Sequence, residues 1–161
     1  MPYQIIKPIL LNQKVSELCK KPYYNHPYGC PNFNTRLTYP TLALPLYDII
    51  SNSKPIYVIW NIFPFKQHIE RMKKMHPDWS NRQLECCLYW QRTARKQLKL
   101  EVSKFLEDRT WFLKDIKIIW IPEACSVNIT KTMEQIDLIL EWPPKIVTYQ
   151  VALAGISINA I

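Results

Sequence analysis

Hydrophobic residues recur along the chain in two spacings, one typical of strands and the other of helices. Residues 56–63 are rich in β-branched and aromatic side chains, as a buried strand is, and residues 116–121 repeat that composition before Pro122. Residues 146–153 predict a third strand, and residues 137–142 are a possible fourth. The pattern therefore predicts a small sheet of three or four strands.

Helical periodicity fills the intervals between these strands, because apolar side chains there repeat every three to four positions. The longest helical pattern begins at Ser80, whose spacing from Gln83 matches a capping box. The predicted helices cover residues 46–51, 64–76, 80–108 and 130–136.

The apolar face predicted for the long helix includes two polar side chains, Gln91 and Arg95. Unpaired polar groups are costly on a buried face, so these two would bond either a buried site or the N-terminal segment. The predicted face carries Leu84, Cys87, Leu88, Gln91, Arg95, Leu98, Val102, Phe105 and Leu106.

The order of these elements favours an α/β or α+β fold, with a small mixed sheet and packed helices that include one long helix. Strands separated by helices suggest βαβ units with right-handed crossovers. Residues 1–45 differ, since they hold seven of the 13 prolines and many turn formers. We therefore expect one domain in residues 1–161, with an irregular Cys- and Pro-rich segment (1–45) ahead of the core (46–161).

Composition excludes several common classes of protein. The chain has only two glycines, Gly29 and Gly155, so it contains no Gly-rich phosphate loop. No apolar run approaches the roughly 20 residues that span a bilayer, and residues 2–8 do not form a secretory signal. The five cysteines are odd in number and widely spread, unlike a disulfide framework. We therefore expect a cytoplasmic protein without a membrane partner.

The net charge of +8 permits binding to phosphates. Residues 66–117 carry 13 Lys and Arg against seven acidic residues, whereas residues 118–161 carry two against four. Aromatic side chains among basic residues can stack the bases of single-stranded nucleic acid, although aromatic residues also build ordinary cores. A nucleic-acid-binding module is thus an alternative function. The aromatic residues in question are Tyr23, Tyr24, Tyr28, Tyr39, Trp79, Tyr89 and Trp90.

The N-terminal segment also contains the best candidates for metal ligands. Cys19, His26 and Cys30 have the spacing Cys-x6-His-x3-Cys, and thiolate and imidazole are the usual ligands of zinc. Thiolates also hold iron–sulfur clusters. Cys125, just after a predicted strand, could supply a further ligand, as could Cys87 from the long helix. Against this, free cysteine is among the most buried residue types and often serves as a small core residue.

The remaining histidines and Cys86 point to chemistry less clearly. His68 and His76 are eight residues apart, about 12 Å of helix rise, so one ion cannot bind both on a continuous helix. Either could act as a general base, but core or capping roles suit them better. Cys86 diverges by about 100° from its helical neighbour Cys87, so the two do not form an easy chelate.

Two segments resemble a prokaryotic family of predicted metal-binding proteins of unknown function. The closing motif of that family is similar to residues 122–130, Pro-Glu-Ala-Cys-Ser-Val-Asn-Ile-Thr, and its cysteine-bearing start is similar to Cys19 with residues 28–32. The family's Cys-Pro-Pro element corresponds here to residues 39–40, Tyr-Pro, and no cysteine lies between Cys87 and Cys125. The resemblance implies metal binding through a reduced set of cysteines.

Together, these observations predict a metal-binding protein whose zinc or iron–sulfur site is built from Cys19 and Cys30, with Cys125 and His26 as further ligands. A metal-free nucleic-acid-binding module is the first alternative. A thiol-dependent enzyme that uses Cys125 or Cys30 with a histidine is the second.

Overall fold

The computed structural model describes residues 2–11, 15–22, 26–31, 33–35, 37, 39, 42–109 and 115–160. The strands are β1 (Tyr3–Ile6), β2 (Ile56–Phe63), β3 (Ile116–Ile119) and β4 (Thr148–Ile156). The α-helices are α1 (Val15–Leu18), α2 (Phe65–Met75), α3 (Asn81–Leu84), α4 (Cys87–Glu107) and α5 (Ile129–Glu134). Short 3-10 helices occupy Leu46–Asp48, Pro122–Cys125 and Ile158–Ala160.

The four strands form one sheet in the order β1-β2-β4-β3, with each neighbouring pair antiparallel. The fold is therefore α+β. The expected βαβ units are corrected in one respect, because β4 inserts between β2 and β3. Strands β2 and β3 run in the same direction and the helices connect them, but the two strands are not neighbours. The strand prediction at 56–63 is confirmed, and those at 116–121 and 146–153 are confirmed with shifted ends.

Side chains alternate between the two faces of the sheet along each strand, and both faces are covered by other elements. On one face, Ile59 of β2 packs with α4. On the other face, Val58 packs with the 3-10 helix Leu46–Asp48, with Cys125 and with α5. Because both faces of β2 are largely buried, its sequence is a nearly continuous hydrophobic run.

The long helix predicted for residues 80–108 is two helices. The capping box at its start is confirmed, since the Ser80 side chain accepts from the Gln83 backbone and the Gln83 side chain accepts from the Ser80 backbone. The chain leaves helical geometry at Cys86, where ψ is 123°, and α4 starts at the next residue. A one-turn helix with its own cap thus precedes the 21-residue α4.

The predicted apolar face was wrong at the N-terminal end of α4. Trp90 and Ala94 are buried there, whereas Leu88 is 81% exposed. Gln91 is partly exposed and Arg95 is exposed. Neither polar residue lies on the buried face, so neither needs the buried partner that the sequence suggested.

Two further corrections concern the sheet edge and the loop before β4. Residues 1–45 are not wholly irregular, because β1 pairs with β2 along four residues. Residues 137–142 form no strand: Asp137 has a positive φ of 58°, and the Glu141 carboxylate accepts from the backbone N–H groups of Lys145 and Ile146. Within the part of the chain that is described, no helix has both the length and the apolar character needed to cross a membrane.

Candidate functional site

The segment after β1 is held against the chain that follows β3. The backbone N–H of Leu11 donates to the carbonyl oxygen of Ser126 at 2.8 Å, and that of Asn128 donates to Ile9 at 2.7 Å. The N–H of Ile9 donates to the buried hydroxyl of Thr132 at 3.0 Å. These bonds place α1 beside the 3-10 helix Pro122–Cys125.

The structure brings Cys19 and Cys30 together. Cys19 closes α1, since its N–H donates to the carbonyl of Val15 at 2.9 Å. The carbonyl of Cys19 accepts in turn from the N–H of Cys30 at 2.7 Å. Two thiols separated by eleven positions in the sequence therefore leave adjoining stretches of backbone.

Gly29 makes this approach possible, and its role was missed from the sequence. Its φ is +83°, and a Cβ at this position would lie 2.5 Å from the carbonyl oxygen of Cys19. Any other residue would meet both a backbone clash and a strained conformation. The available signal was a glycine directly before a cysteine in a chain with only two glycines.

The two thiols interact electrostatically. Both are partly buried, and all five cysteines, each of which is described, are free. Desolvation raises the pKa of Cys19, and the neighbouring thiol of Cys30 raises it further. A negative charge on the Cys30 sulfur therefore opposes ionisation of Cys19.

The other predicted ligands are not gathered with this pair. Cys125 is only 6% exposed, and desolvation raises its pKa to about 11, with Glu123 adding to the shift. His26 is partly exposed in the turn that leads to Gly29. Across the described ranges, no group of three or more Cys, His, Asp or Glu side chains could hold a metal ion. The raised pKa values of Cys19 and Cys125 are opposite to those of activated nucleophilic thiols.

His68 and His76 have separate environments. His68 is buried beside Phe63, and its Nδ1 lies 3.3 Å from a guanidinium nitrogen of Arg71. Its Nε2 is buried and has no hydrogen-bond partner among the described residues. Desolvation and the Arg71 charge lower the pKa of His68. The predicted core role of His68 therefore fits its position, but one of its ring nitrogens is unsatisfied.

His76 instead belongs to a stack of three rings at the surface. Its ring lies 3.9 Å from that of Trp79, centroid to centroid, with 8° between the planes. Trp79 contacts Tyr89 of α4 at 4.8 Å and 34°. Of the predicted aromatic residues, Trp90 is instead a core residue, and Tyr23 and Tyr24 lie outside the described residues.

A groove of about 470 Å³ runs along α4 and is lined by residues between Cys87 and Lys99. Its cationic lining residues are Arg92, Arg95, Lys96 and Lys99. No acidic residue occurs between positions 86 and 100, so the positive charge of this part of the helix is not interrupted along the sequence. Glu123 lies close enough to Arg95 to interact with its charge.

No protein-family model matches the chain, and neither the curated proteins nor the solved structures include a match to it. The case for function therefore depends on the thiol pair, the ring stack and the groove along α4.

Proposed function

We propose that the protein binds zinc or an iron–sulfur cluster through the thiolates of Cys19 and Cys30. The observation that carries this proposal is the 2.7 Å hydrogen bond from the N–H of Cys30 to the carbonyl of Cys19. It joins the backbones of two cysteines that are eleven positions apart, in a segment with little regular structure. Thiolates select zinc, copper(I) and iron–sulfur clusters among the biological metals.

The electrostatic interaction between Cys19 and Cys30 is one that a bound cation would relieve. Burial and the neighbouring Cys30 raise the pKa of Cys19, so without a cation its thiol is protonated at neutral pH. A metal ion reverses this effect, because it attracts both sulfurs and displaces their protons. Binding is therefore expected to release protons and to add its free energy to the stability of the loop.

Zinc fits the pair better than a four-cysteine cluster does. An iron–sulfur cluster of the common type takes four thiolates, and Cys19 and Cys30 supply two. Zinc is tetrahedral and accepts imidazole or water in its other positions. His26 is the nearest additional candidate in sequence, whereas Cys125 would have to ionise inside the core against a pKa of about 11.

Elemental analysis of anaerobically purified, untagged protein tests the proposal. We expect one zinc per chain, or iron with sulfide absorption, in the wild type and a large loss in both Cys19→Ser and Cys30→Ser. Cys86→Ser is the matched control, since Cys86 is also a partly exposed free thiol but lies at the start of α4. Metal-free wild-type protein that is folded, or equal metal content in all four proteins, would overturn the proposal.

A further inference from the structure

We propose that the ring stack and the cationic side of α4 together form a binding surface for single-stranded nucleic acid. This surface consists of His76, Trp79 and Tyr89 with Arg92, Lys96 and Lys99, and below it is called the α4 surface. It lies on elements that contain neither Cys19 nor Cys30, so the inference does not depend on metal binding.

The arrangement of the three rings favours base stacking. Tyr89 is 48% exposed, although it packs against Trp79 and through it is linked to His76. A large aromatic ring that is fixed by its neighbours and open to solvent is a stacking platform for a base. Only an unpaired base offers a free face to such a platform, which favours a single strand over a duplex.

The spacing of the cationic side chains on α4 favours contacts with successive phosphates. Arg92, Lys96 and Lys99 follow Tyr89 at intervals of three, four and three residues, so they continue along the same side of α4. The helix rises about 15 Å from Tyr89 to Lys99. A strand with one base on Tyr89 can therefore place its following phosphates next to these cations.

Among the described residues, no salt bridge involves Arg92, Lys96 or Lys99. The salt bridge between Lys104 and Glu101 lies beyond the C-terminal end of the α4 surface. Arg92, Lys96 and Lys99 are exposed. Phosphate contacts with such side chains release condensed counterions and give salt-dependent affinity.

Fluorescence anisotropy with a labelled oligouridylate of about 12 nucleotides, within the roughly 4–16 nucleotides of single-strand sites, tests this inference. We expect binding that weakens steeply with KCl and is stronger than binding to an RNA duplex of equal length. The Arg92→Ala/Lys96→Ala variant should lose about tenfold in affinity, and the slope of log K against log salt should fall by roughly 1.4.

A charge-matched control separates a site from general attraction. Lys54→Ala/Lys131→Ala removes the same charge from two exposed lysines outside α4, and should change affinity less than threefold. Tyr89→Leu should weaken binding about fivefold or more with an unchanged salt slope, whereas Tyr89→Phe retains the ring and the affinity. Circular dichroism establishes that each variant is folded.

Four outcomes would overturn the inference: no binding to the oligouridylate at low salt, equal losses in the two double variants, tighter binding to the duplex, or full binding by Tyr89→Leu. Binding to phosphatidylserine vesicles without binding to the oligonucleotide would assign the α4 surface to a membrane instead.

Discussion

Cys30 donates its backbone N–H to the carbonyl oxygen of Cys19, and the 2.7 Å bond holds the backbones of these two cysteines together. The bond joins the end of α1 to a turn that begins near His26, so neither thiol's position is determined by a strand or a long helix. Backbone hydrogen bonds and one glycine determine the pair. Its geometry can therefore be tested without changing either cysteine.

Gly29→Ala is expected to separate the thiols and to destabilise the protein by about 1–2 kcal/mol. The added Cβ would lie 2.5 Å from the Cys19 carbonyl oxygen, and alanine is strained at a φ of +83°. Chemical denaturation gives the change in stability, and the alkylation rates of Cys19 and Cys30 report the local change. Cys86 is the internal control and should alkylate at the wild-type rate. Unchanged rates at all three thiols would contradict the assignment.

The raised pKa of Cys125 should make the free energy of unfolding decrease in alkaline solution. Its folded pKa is raised to about 11 from an ordinary value of 9.0, so between these pH values the unfolded chain loses a proton that the folded chain keeps. The favourable contribution of the neutral thiol is thus present below pH 9 and lost toward pH 11. We expect a loss of about 2 kcal/mol in the wild type over this interval.

Cys125→Ala is the comparison that isolates this effect, since lysines and tyrosines titrate in the same interval in both proteins. Urea denaturation at several pH values should give a smaller alkaline loss in the variant. Parallel curves would show that the Cys125 thiol does not differ between the folded and unfolded chains.

The sequence predicted those elements whose cause is local. The composition of residues 56–63 gave β2 its full length, and the Ser80–Gln83 spacing gave the start of α3. The break at Cys86 was not predicted, because Leu88 continues a helical pattern although it is exposed in α4. Which apolar residue is buried depends on packing against the sheet, and periodicity alone does not contain that information.

The candidate site was only partly predicted, because the contacts between its residues also depend on how the chain packs. Cys19 and Cys30 were identified from residue type and spacing, but their contact depends on the backbone path through Gly29. The ring stack was harder to predict, because His76 directly follows α2 while Tyr89 lies in the first turn of α4. The path of the intervening segment, which includes α3, brings the rings together.

The lowered pKa of His68 should make the free energy of unfolding decrease in mildly acidic solution. Its folded pKa is lowered from 6.5, so as the pH falls below that value the unfolded chain takes up a proton that the folded chain does not. Stability is therefore highest above pH 6.5 and decreases as the pH falls toward the folded pKa. His68→Leu removes the titrating ring and its unpartnered Nε2, so it should flatten this dependence. Denaturation curves between about pH 5 and 8 test this, and an equal acidic loss in both proteins would contradict it.

Thr132→Val should release the N-terminal segment from the core. The Thr132 hydroxyl is fully buried and accepts the N–H of Ile9, so valine leaves that donor without its partner, at a cost of about 1–3 kcal/mol. Thr132→Ser is the matched control, because it keeps the oxygen and loses only a methyl group. Amide hydrogen exchange at Ile9 should speed up in the valine variant and not in the serine variant. Since the segment from Ile9 leads to α1, alkylation of Cys19 should also be faster in the valine variant alone. Equal exchange and alkylation rates in the two variants would show that the bond from Ile9 to Thr132 does not hold the segment.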